Sequence, residues 1–318
     1  MRPKRRSLAS LLGLSVLVTG LLAGCGGGGG RQAASPSGQA SGGGFPVTVH
    51  AANGDVTLKS RPKRIISLSP SNTEMLYAVG AGAQITAVDQ LSNYPADAPR
   101  TKLSGFKPNA EAIINRSPDL VVVSDDMNNI VKALTKVKIP VLLSPAATRL
   151  SDSYAELTDF GKVTGHTAQA AKVIAKMKKG IADEVAKVKK PKKPLTYYHE
   201  LDPDFHSATS QTFIGQVYGM FGLRDIADKA KEKAGGYPKL SAEYVAESDP
   251  DLIFLADTKC CGQTAATVAK RPGFKDLTAV RDGNVVPLND DIASRWGPRV
   301  VDLVKRVGQA VTKAEKAQ

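Results

Sequence analysis

Asn109-Ala110-Glu111, followed five residues later by Ser117-Pro118-Asp119-Leu120-Val121-Val122-Val123-Ser124-Asp125, decides the fold, because the chain carries this stretch twice. The second copy is Ser241-Ala242-Glu243, then Asp249-Pro250-Asp251-Leu252-Ile253-Phe254-Leu255-Ala256-Asp257, at a constant offset of 132 residues. Each copy reads as a short helix, a Pro-Asp turn, a buried apolar strand and an aspartate at the strand's end. A bounded apolar run after a turn is the pattern of a strand buried in a parallel sheet. Two α/β domains could share so common a pattern by chance, but here Ala-Glu and Pro-Asp-Leu keep one register. Two similar α/β lobes are therefore expected, with a ligand site between them, where such sites commonly form.

The first 25 residues set the compartment. Arg2, Lys4, Arg5 and Arg6 precede an apolar stretch from Leu8 to Leu22. That stretch is shorter than the ~20 residues of a membrane-spanning helix, as in signal peptides. Leu22-Ala23-Gly24-Cys25 matches the bacterial lipobox, so residues 1–24 read as a lipoprotein signal peptide and Cys25 as the lipidated residue. An ordinary signal peptide or an uncleaved anchor fits less well with the glycines that follow directly. The mature chain is expected on the extracytoplasmic face of the cell membrane, held by its lipid. Residues 25–44, rich in Gly and Ser, form a flexible tether. Beyond it, Asn53-Gly54 between Val47-Thr48-Val49 and Val56-Thr57-Leu58 marks a tight hairpin.

The net charge of +13 falls to +9 once the four cations of the signal peptide are set aside. Nine lysines lie between Lys172 and Lys193 on a segment that reads as helix. No aromatics interleave with them, which argues against nucleic acid. A solvated helix face, or weak attraction to anionic lipid, accounts for them better.

The lobe at 45–150 opens with the strand Arg64-Ile65-Ile66-Ser67-Leu68. Ser69-Pro70-Ser71-Asn72-Thr73-Glu74 then leads into a helix that Gly80 stops. Strand-loop-helix starts of this kind aim N–H groups and hydroxyls into the crevice beyond the strand. Residues 151–190 carry a helical stripe with one interruption at Gly165, read as a helix pair or a single long helix after Gly165 that joins the lobes stiffly. The second lobe, 191–318, opens at Leu195–His199.

"RIISLSPSNTEMLYAVGAG", "SNYP", "NAEAII…PDLVVV", the linker and "SAEYVAESDPDLIFL" together resemble the lipoprotein substrate-binding proteins of ABC importers for vitamin B12, iron-siderophores and haem. The resemblance runs from about Arg61 to the C-terminus and is strongest to the periplasmic B12-binding proteins. It implies the class III periplasmic-binding-protein fold, with two Rossmann-like lobes joined by a rigid helix, and delivery of the ligand to a permease with its ATPase. It further implies that Glu111 and Glu243, one per repeat, dock on permease arginines. A helix-start glutamate favouring the dipole is the alternative to docking for both. Tyr94 matches an aromatic that lies against the corrin, and Phe106 falls in a loop that carries another.

Strand-end loops supply the remaining ligand-binding candidates: Ser71, Asn72, Lys107, Asp125 and Met127 in the first lobe, and His199, Glu200, Asp202, Phe205, Cys260, Arg295 and Trp296 in the second. A flat macrocycle with polar side arms calls for aromatic faces and hydrogen-bonding edges. His199-Glu200 resembles the start of a zinc-protease helix, but the second histidine's position is Pro203. Four histidines in all make a zinc site unpromising. Axial ligation of haem by His199, Tyr197 or Tyr198 stays open. Cys260-Cys261 in an oxidising compartment points to a strained vicinal disulfide, with two free thiols, intermolecular pairing or a metal as alternatives.

The expected protein is a monomeric carrier with no cofactor of its own, no catalysis and no nucleic-acid partner, moving cobalamin. Ferric siderophore or haem is the alternative cargo. A siderophore would call for several cleft arginines, and the sequence offers chiefly Arg295, with Arg149. An envelope enzyme using Asp125, His199 and Glu200 and a structural or sensory lipoprotein are the remaining readings.

Overall fold

The computed structural model describes residues 44–317. The signal peptide, Cys25 and the tether up to residue 43 lie outside the described residues. Strands β1 (Val47–Ala51) and β2 (Gly54–Leu58) form the expected antiparallel hairpin. Gly54 takes φ 98°, a conformation that costs glycine little. Asn53 ties the turn to a neighbouring strand, donating to the Val141 carbonyl at 2.9 Å and accepting from Leu143 N–H at 3.1 Å.

The first lobe follows as β3 (Ile65–Ser67), α1 (Pro70–Ala78), β4 (Ile85–Val88), α2 (Ala110–Ile114), β5 (Leu120–Val123), α3 (Ile130–Lys136) and β6 (Val141–Leu143). Then α4 (Leu150–Thr164) and α5 (Thr167–Ala186) form the linker. The second lobe contains β7 (Thr196–Glu200), α6 (Phe213–Gly219), β8 (Arg224–Asp225), α7 (Ala242–Ser248), β9 (Leu252–Leu255), α8 (Ala265–Ala269), α9 (Thr278–Arg281), β10 (Val285–Pro287), α10 (Asp290–Ala293) and α11 (Val300–Ala317). The two sheets run β4-β3-β5-β6 and β8-β7-β9-β10, every pairing parallel. In each, the lobe's first strand lies between its second and third. The duplicated sequence is thus a duplicated topology.

The repeat has a physical cause. Asn109 and Ser241 cap α2 and α7, accepting from Ala112 N–H at 3.0 Å and Tyr244 N–H at 3.1 Å. Ser117 and Asp249, 132 residues apart, both turn through left-handed backbone, at φ 49° and 39°. The Pro-Asp aspartates then clamp the start of each lobe's first strand. Asp119 accepts from the N–H groups of Lys63 and Arg64 at 2.8 and 2.9 Å, and Asp251 accepts from Thr196 N–H at 2.7 Å and its hydroxyl at 2.9 Å. Both strands that follow, β5 and β9, are wholly buried, as strands covered on both faces must be.

Residues 151–190 form a helix pair, with the 20-residue α5 following Gly165, because Gly165 ends α4 at φ 74° and no other residue takes that conformation as cheaply. Helix α4 buries Leu157, Phe160 and Val163, and α5 buries Ala170, Met177 and Ile181. Helix α5 packs on both α4 and α11. In the second lobe Tyr197, Tyr218 and Phe254 form an aromatic core, with ring centroids 4.2 Å apart for the first pair and 4.8 Å for Tyr218 and Phe254. No described helix is long and apolar enough to cross a membrane.

Candidate ligand-binding site

The strand-end loops of the two lobes meet through a carboxylate that the helix start of α1 carries inward. Glu74 is 3% exposed. Its Oε1 accepts from Arg295 at 2.6 Å and Arg299 at 2.5 Å, and its Oε2 accepts from Arg299 Nε at 2.8 Å. Both arginines come from the loop after α10 in the other lobe. Arg295 also donates to Asp291 at 2.9 Å. Asp291 in turn accepts from Asn93 of the first lobe at 3.1 Å and from Lys259 at 2.5 Å. Two cations on one buried carboxylate, with a second carboxylate behind, form a charge lattice whose geometry offsets its desolvation.

Other contacts between the lobes surround this lattice. The Trp296 indole N–H donates to Glu156 of α4 at 2.9 Å, and the Trp296 carbonyl accepts from Ser153 at 2.5 Å. Burial pushes Glu156 up to about 7. Gln216 of α6 donates to the Thr148 carbonyl at 2.7 Å. Beside the lattice, a cavity of about 430 Å³ is lined by Glu74, Tyr77, Tyr94, Asp97, Pro298 and Arg299, among others. The Arg299 guanidinium lies 4.2 Å from the centre of the Tyr94 ring. A larger cavity, of about 740 Å³, lies away from the strand-end loops between lysines 187–193 and the end of α11.

Several candidates present free side chains, and several do not. Tyr94 (46% exposed), Phe106 (68%) and Met127 (37%) stand open on the first lobe with Lys107 and Asp125. Ser71 and Asn72 are buried within α1, Asn72 donating to the Ser144 carbonyl at 3.2 Å, so they brace the lobe and do not face a ligand. His199 is fully buried on β7, its Nδ1 2.7 Å from the Tyr218 hydroxyl, and burial lowers its pKa to about 3. Tyr197 and Tyr198 share that central strand and are equally buried. These three are core residues because β7 is covered on both faces, and axial ligation by them is overturned.

Glu200 is also fully buried, bound by both Arg271 nitrogens at 2.5 and 2.6 Å. With His199 it is withdrawn from the enzyme reading, which leaves only exposed Asp125. Arg271 stacks against Phe205 at 5.3 Å, and Phe205 takes φ 67°, in the left-handed region that is costly for a bulky residue. Asp202 accepts from His206 Nδ1 at 2.8 Å within its own loop. Arg295, expected on the ligand, is engaged between the lobes, and half-buried Trp296, also expected there, is engaged by α4 of the linker. Cys260 and Cys261 are free, exposed thiols and form no vicinal disulfide.

Glu74, Asn93, Glu156, Arg271, Asp291 and Arg299 carry the site's electrostatics and were not singled out by sequence reasoning. The i, i+4 spacing of Arg295 and Arg299 was the available signal; their shared partner lies 221 and 225 residues away. Glu111 and Glu243 are exposed at the first turns of α2 and α7, and neither forms an ion pair among the described residues. Among those residues no group of three or more His, Cys, Asp or Glu side chains could hold a metal ion.

Comparison with known proteins places this geometry in context. Residues 65–292 match the family model described as periplasmic binding protein. The chain is 31% identical over 277 residues to a cobalamin-binding protein of Halobacterium salinarum, covering 84% of this chain and 74% of that one. It is 29% identical over 277 residues to an uncharacterized ABC transporter substrate-binding lipoprotein of Bacillus subtilis, YvrC, covering 84% and 86%. Among solved structures, a possible iron-binding periplasmic solute-binding protein from Staphylococcus epidermidis superposes with a TM-score of 0.68 at 25% identity, covering 79% of this chain and 99% of that one.

Proposed function

The chain belongs to the periplasmic binding protein family, and on that premise we propose that the cargo it carries to its importer is a corrinoid. As a member it is an extracytoplasmic substrate-binding protein, not an enzyme, and it works with an ABC permease and ATPase. Anchoring through a lipid on Cys25 and action as a monomer complete the proposed picture.

One observation carries the choice of cargo: Arg271, Arg295 and Arg299 are already engaged by carboxylates, and exposed Arg149 is left with only Asp152 of its own helix at 3.5 Å. Arg295 and Arg299 bind Glu74, Arg295 also binds Asp291, and Arg271 binds Glu200. A ferric siderophore with several anionic groups would need those guanidinium groups free. A large chelate with little net charge needs apolar faces and neutral hydrogen bonds, which exposed Tyr94, Phe106 and Met127 begin to supply. The cobalamin-binding relative points the same way. The possible iron-binding neighbour keeps an iron chelate as the second reading, and among iron chelates haem is the flat one of similar demands.

Calorimetric titration of the purified protein with cyanocobalamin tests the proposal. A saturating one-to-one isotherm with Kd on the order of micromolar or tighter, ~−8 kcal/mol, is expected. A flat trace with cyanocobalamin beside a saturating one with haemin would transfer the cargo to haem.

A further inference from the structure

The loop after β9 carries two thiols in succession, Cys260 and Cys261, both free and exposed. The backbone around them is pinned. The N–H groups of Thr258, Lys259 and Cys260 all donate to the Asp290 carboxylate, each at 2.9 Å, and Cys261 N–H donates to the Asp257 carbonyl at 3.2 Å. Asp290 opens α10, and the next residue, Asp291, accepts from Asn93 of the opposite lobe and from Lys259. The two cysteines are therefore carried on a fixed stretch of backbone beside the hydrogen bonds that cross between the lobes.

Thiolate sulfur is a soft donor that binds transition metals well. A pair of adjacent cysteines cannot complete a tetrahedral or octahedral set, and no third metal-ligating side chain joins them among the described residues. Such a pair suits a metal that arrives with most of its positions already filled. A metal in a flat macrocycle meets that description, with an axial position open to exchange. Tyr197, Tyr198 and His199, the other donors considered in this lobe, are buried in its core.

We propose that the Cys260–Cys261 pair supplies a sulfur ligand to the metal of the cargo, which narrows the cargo to metal chelates with an exchangeable axial ligand. This rests on the metal-chelate reading above. In the ligation step one thiol gives its proton to solvent, the metal–water bond breaks, the metal–sulfur bond forms and water leaves. No electron changes hands.

The test compares the wild-type protein with the Cys260→Ser/Cys261→Ser variant, and with wild type alkylated by iodoacetamide as a control that needs no refolding. Each is titrated with aquocobalamin, whose axial water exchanges, and with cyanocobalamin, whose axial cyanide blocks the site. The expected result is a change in the visible spectrum of aquocobalamin with wild type alone, and affinity at least about tenfold above that of the thiol-free proteins. The loss of affinity on thiol removal should be at least about tenfold greater for aquocobalamin than for cyanocobalamin. Equal spectra and affinities for aquocobalamin in all three would overturn the sulfur ligand while leaving the corrinoid carrier intact. If neither cobalamin binds wild type, the corrinoid reading fails, and haemin decides: a haemin spectrum that thiol removal leaves unchanged overturns the proposal too.

Discussion

At the scale of single residues, the lattice around Glu74 is the most consequential feature. Removing the carboxylate with Glu74→Ala leaves Arg299 without an acceptor and Arg295 with only Asp291 and the Leu91 carbonyl. A cost of about 3 kcal/mol is expected, since breaking a buried pair strands its partner. Urea unfolding of wild type and variant would measure it. Lys259→Ala, at the half-exposed rim of the same lattice, should cost less than about 1 kcal/mol. Equal losses from the two would contradict the lattice as described. This is also where the sequence was least legible. Glu74 read as one polar residue in a helix start, and Trp296 as a ligand-facing aromatic, because a sequence does not show which residues more than 100 positions apart converge. His199 misled for the reverse reason: imidazole beside carboxylate suggests chemistry, yet a central strand covered on both faces placed it in the core.

At the scale of elements, the fold was legible because its signals are local. The hairpin follows from Asn53-Gly54, the paired sheets from two apolar runs after Pro-Asp, and the break in the linker from Gly165. What the pattern did not show is why the aspartates recur. Each ties its strand to the first strand of its lobe, and Asp251, half-buried, engages both the N–H and the hydroxyl of Thr196 where exposed Asp119 takes two N–H groups. Asp251→Ala should therefore destabilise by about 2 kcal/mol and Asp119→Ala by about 1 kcal/mol, read by thermal unfolding. The junction of α4 with the second lobe adds a pH signature. Glu156 has a folded pKa near 7 against an ordinary 4.5, so the native state holds a proton that the unfolded chain releases. Its contribution is intact below pH ~4.5 and is lost as pH rises through ~7, by about 2 to 3 kcal/mol. Asp225 shifts in the same sense, likewise by burial. Glu156→Gln keeps an acceptor for Trp296 and should flatten this part of the stability profile; an unchanged slope would count against the assignment.

At the scale of the whole molecule, the protein is two copies of one topology braced by α4 and α5 and fastened across the gap by Glu74, Trp296, Gln216 and Asn93. Glu111 and Glu243 occupy equivalent places on the two copies, so they form a matched pair of acids on a basic protein. Changing either to alanine should lower uptake by a reconstituted importer about tenfold or more while cargo affinity stays unchanged. A parallel loss of affinity would instead tie these residues to the cargo. The bracing has a further consequence. If the gap between the lobes is fixed by ion pairs and helices, the distance between the two acids is the same in the full and the empty carrier. A permease gauging its visitor by that distance alone would accept both. Unloaded carrier then becomes a competitor of its own loaded form, and uptake by a fixed amount of importer should pass through a maximum and decline as empty carrier is added.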